Sequence, residues 1–400
     1  MKQFKFLSGV KSMLDMYGRE INPNHYQTIS LTGNLRFLKE YHRRLDSHYA
    51  SHYNIFNENH PLFTLGYHYF IGRTRDAMNI VDKLETKNEF YYVVNQFEPI
   101  IANYEDSINN LTKIYLKQEV ESRDFYKFWE MCFLFDVVDG ENLDIMVLKD
   151  YGELQAIKLY RQKFLEKQSK NDKYYKEHKN GISADLIIVN DISNKENVFV
   201  EILLQNLVHI LKCQNKKGNL IIKLGDTYTT STIKIIYLLT TLYKDCYLYK
   251  PFFSRPSDNE KYIICKNFDN SDIKKVVVNL ETIIKSIKIN YITDIFIDIS
   301  HEMLQELYDT IKVINVKLVN QQQIVINDIV KYIKDNNYYG DKYHEYINQQ
   351  IEATQWWITS FLPPSNNLYK TNKDNFEKNL KLTIEKNNLE KEKFISQLNN

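Results

Sequence analysis

The feature that most constrains this chain is an alternation of short apolar runs with helical stretches between Leu143 and Cys265. Leu143-Asp144-Ile145-Met146-Val147-Leu148 has the length of a strand and is followed by a helical stretch from Leu154 to Gln168. Asp185-Leu186-Ile187-Ile188-Val189 reads as a buried strand and Phe199 to Lys212 as a helix. Asn219-Leu220-Ile221-Ile222-Lys223 reads as a third strand, opened by a turn at Gly218, and Thr230 to Tyr243 as the next helix. Strands apolar on both faces and separated by helices imply a parallel sheet covered on both sides. The last two runs, Cys246 to Lys250 and Lys261 to Cys265, are joined by a Pro-bounded loop too short for a crossover, so they must pair antiparallel. The expected fold class is α/β, with a mostly parallel sheet and an antiparallel final strand.

Helical regions are expected on either side. Residues 1–96 read as a mostly helical amino-terminal region, with Leu35, Leu38, Tyr41 and Leu45 at helical spacing. From Phe97 to Leu134 apolar residues recur every three or four positions (Ile100, Ile101, Tyr104, Ile108, Leu111, Ile114, Tyr115), and Glu121 to Phe135 closes that series. Residues 97–268 are taken as the α/β domain, 269–366 as a helical carboxyl-terminal region containing Trp356 and Trp357, and 367–400 as a charged, solvated or disordered tail.

Composition excludes several classes. Hydrophobic residues make up 43% and charged residues 26%, which leaves enough apolar surface for a full core. A net charge of +1 argues against a uniformly basic coat for nucleic acid and leaves room only for a local patch. The 30 tyrosines against 11 glycines mark an AT-rich coding sequence rather than a function. Cys132, Cys213, Cys246 and Cys265 have no metal-ribbon or disulfide spacing, which fits a reducing compartment. His42, His48, His52, His60 and His68 crowd the amino-terminal region, but no Glu or Cys motif accompanies them and no metal is assigned. No stretch approaches the roughly 18 apolar residues of a membrane span, and a cytoplasmic location is expected.

In an open parallel sheet, ligands sit beyond the carboxyl ends of the strands. Asp191 follows one strand and Lys223 ends the next, while Glu260 precedes the last strand. A lysine flanked by carboxylates has its charge and pKa set by them. Lys250 and Arg255, beside Phe252 and Phe253, offer charge and stacking for an RNA groove, or else form a structural turn packed on the sheet.

At these residues the chain resembles the FtsJ-like family of RNA 2′-O-ribose methyltransferases, in particular its divergent giant-virus (mimivirus-like) branch. KPFFSRPSDNEKYIICKNF looks like the family's K-P-x-x-S-R-x-x-S-x-E-x-Y motif, GNLIIKL resembles the strand bearing its central lysine, and SRDFYKFWEM resembles the helix supplying its first lysine. The resemblance implies a Rossmann-like methyltransferase sheet and a K-D-K-E tetrad at Lys127, Asp191, Lys223 and Glu260. In the family, the central lysine helps deprotonate a ribose 2′-hydroxyl for attack on the methyl group of S-adenosylmethionine. The departure is at the cofactor turn, Leu148-Lys149-Asp150-Tyr151-Gly152-Glu153-Leu154. Gly152 matches the family's glycine turn, Lys149 stands where an acid is expected unless Asp150 supplies it one residue later, and Glu153 replaces a glycine. The short stretch from Gly152 to Asp191 implies loss of a strand and helix that carry adenosine contacts.

The resemblance therefore implies Asp150 and Gly152 as the cofactor-binding remnant. It leads to a degenerate, viral methyltransferase-fold protein, located in host cytoplasm or virion, that takes no cofactor and binds RNA, such as capped mRNA, or a viral mRNA-processing partner. The alternatives are an active S-adenosylmethionine-dependent mRNA cap 2′-O-methyltransferase and a non-catalytic structural assembly subunit.

Overall fold

A computed structural model describes the short strands Met13–Leu14 (β1), Glu20–Ile21 (β2), Thr28–Ser30 (β3) and Tyr53–Asn54 (β4). From Leu65 to Leu398 it describes the chain apart from 85–91, 102–104, 106, 178–180, 192–195, 270–272, 288–293, 297–298, 300 and 337. The helical spacing around Leu35 to Leu45 and the histidine cluster's side chains lie outside the described residues.

The central sheet contains β5 (Asp144–Leu148), β6 (Lys173–Tyr175), β7 (Ala184–Val189), β8 (Gln214–Leu224), β9 (Tyr243–Tyr249) and β10 (Lys261–Phe268), with β3 on one edge. Its order is β3-β9-β10-β8-β7-β5-β6. β6, β5, β7 and β8 are parallel, and β10 inserts antiparallel between β8 and β9. The expected α/β sheet with an antiparallel final strand is therefore present. β6 is the strand that the sequence reading left out: a three-residue strand does pair with β5 in the segment between Gly152 and Asp191.

Strand periodicity explains the layers. Leu186 and Ile188 of β7 pack on one face with Ile145, Val147, Ile221, Tyr262 and Ile264, whereas Ile187, Val189, Leu220 and Ile222 pack on the other. The first face is covered by α3 (Arg123–Phe135) and α4 (Glu153–Phe164), which follow α1 (Leu65–Asp76) and α2 (Ile108–Leu116) in the chain. The second face is covered by α5 (Glu196–Cys213), α6 (Thr230–Leu242), α7 (Ile273–Ile287) and the front of α8 (His301–Asp335). Gly218 lies inside β8 instead of opening it, at a register shift where an added Cβ would stand 2.8 Å from the Asp185 carbonyl oxygen.

The carboxyl-terminal helices belong to the same core. α9 (Asp341–Phe361) buries Trp357, and α10 (Asn366–Leu398) buries Tyr369 and Phe376 against α3 and α4. The start of the expected solvated tail is thus docked: Phe164 and Tyr369 stack with ring centroids 4.0 Å apart, and Lys373 pairs with Asp136. Deep in this face, Glu130 of α3 accepts from Trp357 Nε1 at 2.9 Å, Tyr249 OH at 3.0 Å and the Phe252 amide at 2.8 Å. Burial pushes its carboxyl up to about 8, against the pull of these donors. All four cysteines are buried and free, and among the described residues no helix is long and apolar enough to cross a membrane.

Removing the indole that fills this core and satisfies Glu130 carries a cavity cost and a lost partner. Trp357→Ala is expected to lower stability by about 4 kcal/mol in urea unfolding, with the folded protein's near-ultraviolet circular dichroism changed at the same time.

Candidate functional site

The antiparallel insertion of β10 makes the site. Lys223 sits opposite Tyr262 and Leu224 opposite Lys261, so the residue preceding β10, Glu260, arrives at the carboxyl end of β8. Two-residue alternation then puts Glu260 and Lys223 on the same face as Tyr262 and Ile221, the face covered by α3. α3 begins at Ser122, whose hydroxyl accepts from the Asp124 amide at 3.1 Å and fixes the first turn. One turn on, Lys127 faces the strand ends.

Glu260 is shared by two lysines. Its Oε1 lies 2.5 Å from Lys127 Nζ and its Oε2 lies 3.0 Å from Lys223 Nζ. Burial opposes its charge, but Lys127, Lys223 and Lys250 outweigh burial and hold the carboxyl well below the usual carboxylate range. Lys223 is moved the other way: burial would lower its pKa, yet the carboxylates of Glu260, Asp124 and Glu153 raise it above the ordinary lysine value. The structure thus brings together three of the four predicted tetrad residues.

The fourth, Asp191, is elsewhere. Its carboxylate pairs with Lys149 Nζ at 2.6 Å, bridging the ends of β5 and β7. Alternation along β7 gives the physical reason: Leu186 and Ile188 face α3, and the next residue in that phase is Asn190. The Asn190 amide reaches Asp124 Oδ2 at 3.4 Å and also bonds Glu153. Asp124, which sequence reasoning passed over, lies 2.7 Å from Lys127 Nζ. Its signal was the three-residue spacing to Lys127 on a helix.

The turn after β5 is satisfied from within. Asp150 Oδ1 accepts from the amides of Gly152 at 3.2 Å and Leu154 at 3.1 Å, and its other oxygen pairs with Lys176 at 3.0 Å. Glu153, fully buried, turns back to accept from the Tyr151 amide and from Asn190. Burial pushes its carboxyl up to about 7. Gly152 has φ +124°, a conformation open to glycine, and an added Cβ would stand 2.5 Å from Ser122 Oγ. The close approach at this glycine is therefore made by α3, whose Ser122 hydroxyl also donates to the Tyr151 carbonyl. Tyr151 itself is exposed, at 56%. As arranged, the amides of Tyr151, Gly152 and Leu154 have no donor left for the carboxylate of S-adenosylmethionine, so the turn does not fit that group.

Two RNA-groove candidates read differently in three dimensions. Lys250 is buried and donates to Ser254 Oγ, the Asp258 carbonyl and the Glu260 carbonyl at 2.8–3.0 Å, with its amine pushed down to about 8 by burial. Its charge orders the loop. Phe252 and Phe253 are buried beside Phe97 and the tryptophans, which is the structural-turn alternative. Arg255 pairs with Glu98 at 3.0 Å and lies 3.6 Å from the Tyr92 ring centre, leaving part of its side chain at the surface. Among the described residues no cluster of His, Cys, Asp and Glu could hold a metal.

Comparison with known proteins agrees with the α/β fold. Residues 160–268 match the family model of the FtsJ-like methyltransferases. Over this stretch the chain is similar to that family. An uncharacterized protein of Acanthamoeba polyphaga mimivirus is 25% identical over 245 residues, 60% of this chain and 66% of that protein. The cap-specific mRNA (nucleoside-2′-O-)-methyltransferase 1 of Dictyostelium discoideum is 32% identical over 108 residues, 24% of this chain and 14% of the enzyme. The cap-specific mRNA (nucleoside-2′-O-)-methyltransferase of Autographa californica nuclear polyhedrosis virus is 29% identical over 94 residues, 22% of this chain and 36% of the enzyme. The chain thus spans less than two thirds of the length of these relatives.

The buried Glu153 carboxyl gives the chain a pH signature. A carboxyl whose folded value of about 7 exceeds its ordinary 4.5 favours the fold fully below 4.5, and that contribution is lost as pH rises through 7. Glu153→Gln is expected to flatten the stability decline across this window, measured as the difference between variant and parent in urea unfolding at stepped pH.

Proposed function

We propose that this chain binds RNA in the crevice at the carboxyl ends of β5, β7 and β8 and does not transfer a methyl group there. The observation that carries the reading is the pairing of an assembled Lys127–Glu260–Lys223 cluster with a cofactor turn whose amides are already taken by Asp150 and Glu153. A lysine held protonated between carboxylates donates hydrogen bonds to ribose or phosphate oxygens. The relatives named as cap-specific mRNA methyltransferases support RNA, and capped mRNA in particular, as the ligand. The mimivirus relative supports a viral setting, in host cytoplasm or virion, where a protein of the mRNA-processing machinery would be the natural partner.

One observation favours a second reading, an active cap 2′-O-methyltransferase: both lysines and the glutamate of the tetrad converge within ion-pair reach. In that case the turn opens when S-adenosylmethionine arrives.

Calorimetric titration separates the two. The binding reading expects no saturable heat with S-adenosylmethionine or S-adenosylhomocysteine, and saturable binding of RNA that Lys223→Ala weakens about tenfold. Micromolar binding of either cofactor form would overturn it in favour of the enzyme. RNA affinity unchanged in Lys223→Ala would place RNA elsewhere or leave the fold as a scaffold for assembly.

A further inference from the structure

Charge balance around Lys127 and Lys223 singles out a residue that no motif marks. We propose that Asp124, not Asp191, is the carboxylate that positions Lys127 and, through the shared Glu260, orients Lys223. The inference rests on the reading of this crevice as the functional site and names the residue that sets its charge.

Three observations carry it. The first is contact: Asp124 Oδ1 is 2.7 Å from Lys127 Nζ, which in turn is 2.5 Å from Glu260. Lys223 is 3.0 Å from the other oxygen of Glu260. Asp124, Lys127, Glu260 and Lys223 form an unbroken line in which two negative and two positive groups balance. The second is competition. Asp191 is already neutralised by Lys149 at 2.6 Å, and recruiting it to Lys223 would leave Lys149 without that partner. The third is strand phase: the β7 residue directed at this face is Asn190, and its amide touches Asp124.

The surroundings make this balance matter. Lys127 is nearly buried, with 5% of its side chain exposed, and Asp124 and Glu260 are at 14% and 11%. A buried lysine with one carboxylate shared between two amines carries an uncompensated charge, which low polarity penalises heavily. Asp124 removes that imbalance. The Ser122 cap holds the Asp124 amide, and its three-residue spacing to Lys127 sets both on one helix face. Glu153, Glu260 and Asp124 are the carboxylates acting on Lys223, while Lys250 lies behind Glu260.

The test reads Lys223 directly and needs no RNA. Lysine labelled at Nζ is followed by nuclear magnetic resonance across alkaline pH, with the Lys223 signal assigned by its loss in Lys223→Arg. Asp124→Asn is expected to bring the Lys223 titration down by about one pH unit or more. Asp124→Glu should restore it, and Asp191→Asn should leave it in place. A fall in Asp191→Asn with none in Asp124→Asn would overturn the proposal. Should Asp124→Asn fail to fold by thermal melting, Lys149→Met supplies the answer, since it frees Asp191 from its partner. No change at Lys223 supports Asp124, whereas a rise would identify Asp191 as the positioning carboxylate. Because RNA takes no part, failure of RNA binding and failure of this assignment are read separately.

Discussion

A buried carboxyl group ties this molecule together. Glu130 sits fully buried in the middle of α3 and receives hydrogen bonds from α9, from β9 and from the loop that follows β9. Burying such a group is tolerable only with several well-placed donors, so the three elements are held to one arrangement relative to α3. The Trp129 indole extends that tie, donating to the Phe361 carbonyl at 2.7 Å. The helices after residue 340 are for this reason part of the sheet's cover and not an appended module.

The same helix also builds the site. Asp124 and Lys127 occupy its first turns, about two turns and one turn before Glu130, so fixing α3 against the sheet fixes them over the ends of β7 and β8. The antiparallel entry of β10 brings Glu260 to meet them. Electrostatics then decides the state of the crevice: Lys223 is kept as a cation by surrounding carboxylates, which suits hydrogen bonding to a ribose-phosphate backbone. Across the crevice, the turn after β5 folds onto its own carboxylates. Gly152, the residue that most resembles a cofactor-binding feature, has its close approach occupied by Ser122. One helix thus assembles the charged cluster of the site and closes the turn opposite it.

Much of this was legible before any coordinates. Apolar runs of strand length gave β5, β7, β8, β9 and β10 to within a few residues, because strands buried on both faces need continuous Val, Ile and Leu. β6 escaped, since Lys173-Tyr174-Tyr175 is three residues long and lacks an apolar run. The extent of β8 through Gly218 escaped as well, because a glycine inside a strand and a glycine in a turn look alike locally. Lys250 looked like a surface cation and is buried, as its three oxygen acceptors converge only when the loop from Pro251 to Glu260 closes over it.

The sequence by itself determined the layered α/β architecture, the strand that ends in Lys223 and the motif that delivers Glu260, because these depend on local periodicity and short loops. It also located the irregular turn at Asp150 to Glu153. Only the tertiary structure decided which charges meet. Lys149 and Asp191 are 42 positions apart, and Arg255 and Glu98 are 157 apart. Such pairs follow from how strand phase and helix docking aim each side chain. One residue of phase along β7 separates Asn190, facing Asp124, from Asp191, facing Lys149, and no linear pattern of residue types records that choice.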